Sequence, residues 1–143
     1  MILVSACLVG LNTKYNGKNN LNDNILELVR SGKAIPLCPE QLGGLTTPRI
    51  PTEIKYIDGK RYVLNKEGKD VTKEFERGAE EVLNFAKKMN IKKAILQSRS
   101  PSCGVGKIYD GTFSDNLISR NGILAQILIE NGIEVIDIED YKG

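Results

Sequence analysis

The sequence predicts an α/β fold: a mainly parallel sheet with flanking helices, Rossmann-like, carrying an inserted β-hairpin, all in a single domain over residues 1–143. Three observations lead there. Short apolar runs of the kind a parallel sheet buries on both faces recur at 2–5, 34–37, 93–97 and 134–138. Stretches with helical periodicity lie between them. Two strand-like segments around an Asp-Gly pair form the insertion. Strands alternating with helices imply parallel crossover units.

Each element has its own justification. Met1 to Cys7 lacks the basic leading segment of a signal peptide and reads as a buried strand from Ile2 to Ser5. A polar stretch rich in Asn and Gly follows, from Asn12 to Asn20. Asp23 offers a cap to a helix with Ile25, Leu28 and Val29 on one face and Gly32 beyond its end. Ala34 to Leu37 is a second strand, and Pro36 places it at an edge or makes it irregular. Pro39, Gly43, Gly44, Pro48 and Pro51 break the chain into a long loop over 39–52, and long loops inside compact domains are commonly functional.

Glu53–Ile57 and Arg61–Leu64 flank Asp58-Gly59, a hairpin signal. Asp70 then precedes Val71, Phe75, Ala79, Val82, Phe85, Ala86 and Met89, whose spacing predicts a helix capped by Asp70. A strand over 93–97 leads into SRSPSCG at 98–104 and a Gly/Asp-rich loop to Asn116. A helix around 121–130, with Ile123, Leu124, Ile127 and Leu128 apolar, stops at Asn131-Gly132. The final strand is 134–138.

Composition narrows the chemistry. Hydrophobic residues make up 41% and charged residues 27% of 143 residues, ordinary values for a soluble globular domain. No apolar run approaches the roughly 20 residues of a membrane span, so the expected location is the cytoplasm. A net charge of +2 gives no case for a nucleic-acid partner. Lys87, Lys88, Lys92 and Lys93, the densest basic group, flank a helix end and read as a solvated face. Histidine is absent, which removes the commonest general base and neutral metal ligand together. Three cysteines form no local pair, so a disulfide framework is not expected.

Those cysteines share a position. Cys7 follows the first strand, Cys38 the second, and Cys103 lies in the loop after the third. Ligands of open parallel sheets bind outside the carboxyl ends of the strands, so three neighbouring parallel strands would bring the thiols to one crevice. A single buried cysteine is commonly a small hydrophobic filler, but three at one sheet edge point to a site. Three thiolates suit an iron–sulfur cluster with one iron open, or a zinc site with an open position. Cys38-Pro39-Glu40 resembles one element of the zinc deaminases, yet their P-C-x-x-C segment is missing. Cys103 as a nucleophile would need a base other than histidine.

The residues also carry a resemblance. S-A-C-L-V-G at 5–10, K-Y-N-G at 14–17, C-P-E-Q-L-G-G-L-T-T-P-R at 38–49, G-K-D-V-T at 68–72, S-P-S-C-G at 100–104 and I-Y-D-G-T-F-S at 108–114 occur in order. The chain thereby resembles the TudS family of iron–sulfur thiouracil desulfidases, which implies a single desulfidase domain over residues 1–143. It further implies a 4Fe–4S cluster held by Cys7, Cys38 and Cys103 with the fourth iron open. Lys14 and Asn16 stand where the family usually has Arg and Asp, Thr46 where Pro is common, and Thr13 where many relatives have a further cysteine. Relatives that act on thiolated tRNA bases carry an additional C-terminal domain. A small-molecule thio-base is therefore the expected substrate here, without membrane or nucleic-acid partners, although thiolated tRNA is not excluded. The sequence sets no oligomeric state.

The expected reaction is non-redox removal of sulfur, giving uracil and sulfide, with the thiocarbonyl sulfur on the open iron. Glu40 is the expected catalytic carboxylate, activating water. Ser100 is the second expected catalytic residue, through a hydrogen bond to substrate. Ser102, Tyr15, Arg49 and Tyr109 are the candidate substrate contacts, Ser102 with a mainly loop-shaping part. Backbone N–H groups at Gly104 and Gly43-Gly44 are expected to donate to cluster sulfides. The alternative function is a carrier that delivers sulfide or a cluster to a partner protein.

Overall fold

The computed structural model describes residues 1–143. A four-stranded parallel sheet lies at the centre, with spatial order β2-β1-β5-β8. Its strands are β1 (Ile2–Ser5), β2 (Ala34–Leu37), β5 (Lys93–Leu96) and β8 (Glu134–Asp137). Register runs Leu3 to Ile35 and Ala94, and Ile95 to Ile136. Pro36 is tolerated because β2 is an edge strand, where a missing N–H costs no ladder bond on its open side.

Alternate side chains of the central strands feed opposite layers. Leu3, Ala94 and Leu96 face a core built with α3 (Thr72–Lys88) and α4 (Ile123–Glu130). Val4 and Ile95 face a smaller cluster with Ile25 of α1 (Asp23–Arg30). The chain goes from β1 outward to β2 on one side, then crosses to β5 and β8 on the other. The strand order reverses between β1 and β5, which opens a crevice above their carboxyl ends.

The predicted hairpin is present as β3 (Thr52–Ile57) and β4 (Lys60–Asn65), with Asp58 and Gly59 both at positive φ. Five details depart from the sequence reading. The cap of α1 is Asn22, whose extended backbone lets its side chain accept from the N–H groups of Asn24 and Ile25, whereas Asp23 is already helical. Asp70 stands one residue outside the flank of α3. Its carboxylate accepts the Thr72 N–H at 2.9 Å, and the Thr72 hydroxyl in turn accepts from Val63 N–H. The long loop contains a one-turn helix, α2 (Pro39–Leu42), and the Gly/Asp-rich loop contains a small antiparallel pair, β6 (Ile108–Tyr109) with β7 (Leu117–Ile118). Met89, expected on the apolar face of α3, lies exposed past its end, while Leu83 is buried in its place.

Candidate active site

Cys7, Cys38 and Cys103 are all free, and all three line one cavity of about 460 Å³. Each arrives by a different local device. β1 runs straight into a 3₁₀ turn over Ala6–Val9 that carries Cys7, and the Asn20 side-chain amide lies 3.7 Å from its Sγ. Cys38 is the flank residue of α2, its Sγ 4.0 Å from the Thr13 carbonyl. Cys103 sits in a turn wound on Ser100, whose hydroxyl accepts the N–H groups of Ser102 and Cys103, both at 3.1 Å. The carbonyls of Pro101 and Ser102 then accept the first N–H groups of α4, so the cysteine loop closes the start of that helix.

Two cross-links hold the rim. Ser5 Oγ, at the end of β1, accepts the Gln97 N–H beyond β5 at 2.9 Å. The Ser98 hydroxyl donates to Asp137 Oδ1 at 2.6 Å, joining the same loop to β8.

α2 is seated by bare backbone. A Cβ on Gly78 of α3 would overlap the Pro39 carbonyl, and one on Gly43 would overlap the Glu74 carbonyl. Two glycines therefore let α2 lie directly on α3, which aims both Cys38 and Glu40 at the cavity.

Glu40 is clamped there. Arg49 Nη2 donates to its Oε2 at 3.0 Å and to the Thr13 carbonyl at 2.8 Å, while Nη1 donates to Thr47 Oγ at 2.9 Å. The pair is largely enclosed, at 8% exposure for Arg49 and 15% for Glu40. Burial pushes the Glu40 carboxyl above its ordinary range, against the pull of Arg49 and the Ser102 hydroxyl. Burial also raises the thiols: Cys7 to about 11, Cys103 to about 12, and Cys38 in the same direction. Held this way the sulfurs are neutral, and a ligand binding them as thiolates must bring positive charge.

Of the site residues expected from sequence, Cys7, Cys38, Cys103, Glu40, Ser100, Tyr15, Arg49 and Tyr109 line the cavity. Ser102 does not. Its turn directs it inward to 1% exposure, with its hydroxyl 3.6 Å from Cys103 Sγ and 3.0 Å from Ser100 Oγ. Ser102 therefore lies behind the wall, whereas Ser100 both lines the cavity and accepts the turn-forming N–H groups that were expected of Ser102. The Arg49 guanidinium donates to Thr47, the Thr13 carbonyl and Glu40, and so braces Glu40 from the cavity wall. The amides of Gly104, Gly43 and Gly44 donate to the carbonyls of Ser100, Pro39 and Gln41, and are not free for a cluster. Sequence reasoning missed Asn20, Glu53 and Phe113 on the wall. Asn20 had no signal, because a loop of 13 positions folds it back on Cys7. Phe113 lay within a matched motif but was passed over as part of the Gly/Asp-rich loop.

The donor set can be matched to a cofactor. No three Cys, Asp or Glu side chains gather closely enough to hold one metal ion. Three thiols nevertheless edge one cavity from three adjacent strands, which suits a group larger than a single ion. All-sulfur donors without nitrogen serve iron–sulfur clusters and all-cysteine zinc sites alike, and the spread of the three thiols favours the larger group.

Fold and site thus define a Rossmann-like α/β protein with a thiol-lined pocket at its topological switch point. Residues 2–140 match the profile of the 2-thiouracil desulfurase family, and the chain belongs to that family. It is 42% identical over 142 residues to an uncharacterized Bacillus subtilis (strain 168) protein, YbbK, covering 95% of this chain and 94% of that one. A solved structure of a 4Fe–4S-dependent thiouracil desulfidase, TudS, is similar at a TM-score of 0.88 and 38% identity, over 96% of this chain and 90% of that chain.

Proposed function

We propose that this chain is a 4Fe–4S-dependent desulfidase of thiouracil or a related small thio-base. The observation that carries the reading is the convergence of three free thiols with one clamped carboxylate on a single cavity wall. Family membership and the TudS likeness support the same cofactor and substrate class. Cys7, Cys38 and Cys103 would hold the cluster. Once bound, it would supply a thiophilic Lewis acid, an iron without a protein ligand, to take the substrate's sulfur and polarise the C=S carbon.

The protein's own groups do the rest. Glu40 accepts the proton of a water whose oxygen attacks that carbon, a new C–O bond forms, and the C–S bond breaks with its electron pair leaving on sulfur. One water is consumed, a carbonyl and sulfide are formed, and no electron enters or leaves. Arg49 fixes the carboxylate's direction through the bond to its Oε2. Ser100 keeps the Cys103 turn in shape and has its hydroxyl at the cavity wall, within reach of a bound base. Tyr15 and Tyr109 contribute aromatic rim to the same space.

The test is turnover of 2-thiouracil by anaerobically reconstituted protein. Many equivalents of uracil and sulfide per chain are expected. Release that stops near one sulfide per cluster would replace the enzyme by a sulfide carrier.

A further inference from the structure

The inserted hairpin carries a residue that the mechanism above does not use. Glu53, on β3, lines the cavity. Its Oε1 accepts two backbone N–H groups of the β6–β7 loop: Gly111 at 3.0 Å and Phe113 at 3.1 Å. The loop is pressed hard on the hairpin, since a Cβ at Gly111 would come within 2.7 Å of Lys55 Cβ and 2.9 Å of the Ile54 carbonyl. Phe113 and Asp115 hold φ of 55° and 62°, the left-handed region that non-glycine residues rarely take. Such backbone persists only where surrounding contacts impose it, and Glu53 supplies two of them. The ring that results is half-buried and lines the same cavity as the three thiols and Glu40.

We infer that Glu53 is a positioning residue that holds Phe113 as an aromatic wall, against which the planar ring of the thio-base stacks. The inference rests on the thio-base reading above and adds to it a positioning device. Stacking on an aromatic face tolerates any base, so Phe113 would fix the ring plane while other groups choose its edge. It also gives the hairpin a purpose: β3 and β4 stand outside the parallel sheet and bring Glu53 to the loop.

Steady-state kinetics on the cluster-loaded protein, with hydrogen exchange at the amides of 110–116, test it. Phe113→Ala should raise KM by about tenfold with little change in kcat. Glu53→Ala should raise KM likewise and speed exchange at Gly111 and Phe113. Glu53→Gln keeps an acceptor oxygen and should restore much of both. Iron content should match the parent in all three, since none touches a thiol. Parental KM in Phe113→Ala, or parental exchange in Glu53→Ala, would overturn the inference. A parent protein without thiouracil turnover would strike the function reading instead, and exchange at the loop amides would still decide whether Glu53 clamps them.

Discussion

At the smallest scale, the proposed chemistry rests on Glu40 and its guanidinium partner. A carboxylate 15% exposed, held by one arginine and lying two residues from a cysteine, is placed by the protein rather than by solvent. Glu40→Gln preserves the shape and removes the proposed proton acceptor. We expect normal iron content and kcat reduced about 10²–10⁴-fold, read by iron analysis alongside uracil formation. Arg49→Ala should act at one remove. It leaves the enclosed carboxylate without its cation, and the carbonyl of Thr13 loses its donor. Loss of activity comparable with Glu40→Gln is expected, with partial recovery in Arg49→Lys, which keeps the charge but not the forked geometry. Full activity in Arg49→Ala would refute the clamp. Cys38→Ala should abolish cluster binding, because it removes one of only three cysteines in the chain.

Among the elements, α2 depends most on a sequence feature that carries no chemistry. The Gly43–Gly78 approach brings backbone against backbone, and through it α3 seats Cys38 and Glu40. In an isolated helix Gly78→Ala would favour folding by about 1 kcal/mol. Here the added methyl collides with the Pro39 carbonyl, so lower stability and reduced iron binding are expected together. Leu83→Ala, in the core of the same helix, should lower stability by about 2–5 kcal/mol while keeping the parent cluster spectrum. A parent-like Gly78→Ala would show that α2 is seated by other contacts.

At the start of α3, the Thr72 N–H and hydroxyl hold the Asp70 carboxyl below the ordinary carboxylate range. A carboxyl depressed in the folded state stabilises it above the unfolded pKa of about 3.9, and that contribution fades as pH falls through the folded value. Asp70→Asn should therefore be less stable than the parent at neutral pH. The difference should shrink in acid, as followed by thermal melting at several pH values.

For the whole molecule, the decisive feature is where strand order reverses. β1 and β5 part at the switch point, β2 lies beside β1, and the loops after these three strands each deliver one cysteine. The strands and the cysteines' place at their ends were legible in the sequence, because apolar runs mark buried strands and each cysteine follows one or sits in the loop beyond it. The strand order was not, since tertiary folding sets it. Glu40 was legible through its two-residue offset from Cys38. The turn-forming bonds of Ser100 were not, since Ser100 and Ser102 are both turn serines in a Pro loop and only the folded turn says which hydroxyl accepts the loop's N–H groups. Nor was the role of Arg49, whose acceptors at Thr13, Glu40 and Thr47 are brought together by tertiary folding. Asn22 displaced Asp23 as cap by backbone conformation alone, which side-chain type does not reveal. No helix is long and apolar enough to cross a membrane.

The most direct measurement is iron and acid-labile sulfide per chain after anaerobic reconstitution, in the parent and in Cys38→Ala. About four of each per parent chain, and far less in the variant, is the result predicted for a 4Fe–4S centre on these three thiols. A parent chain that takes up no iron, or a variant that loads as fully as the parent, would contradict it.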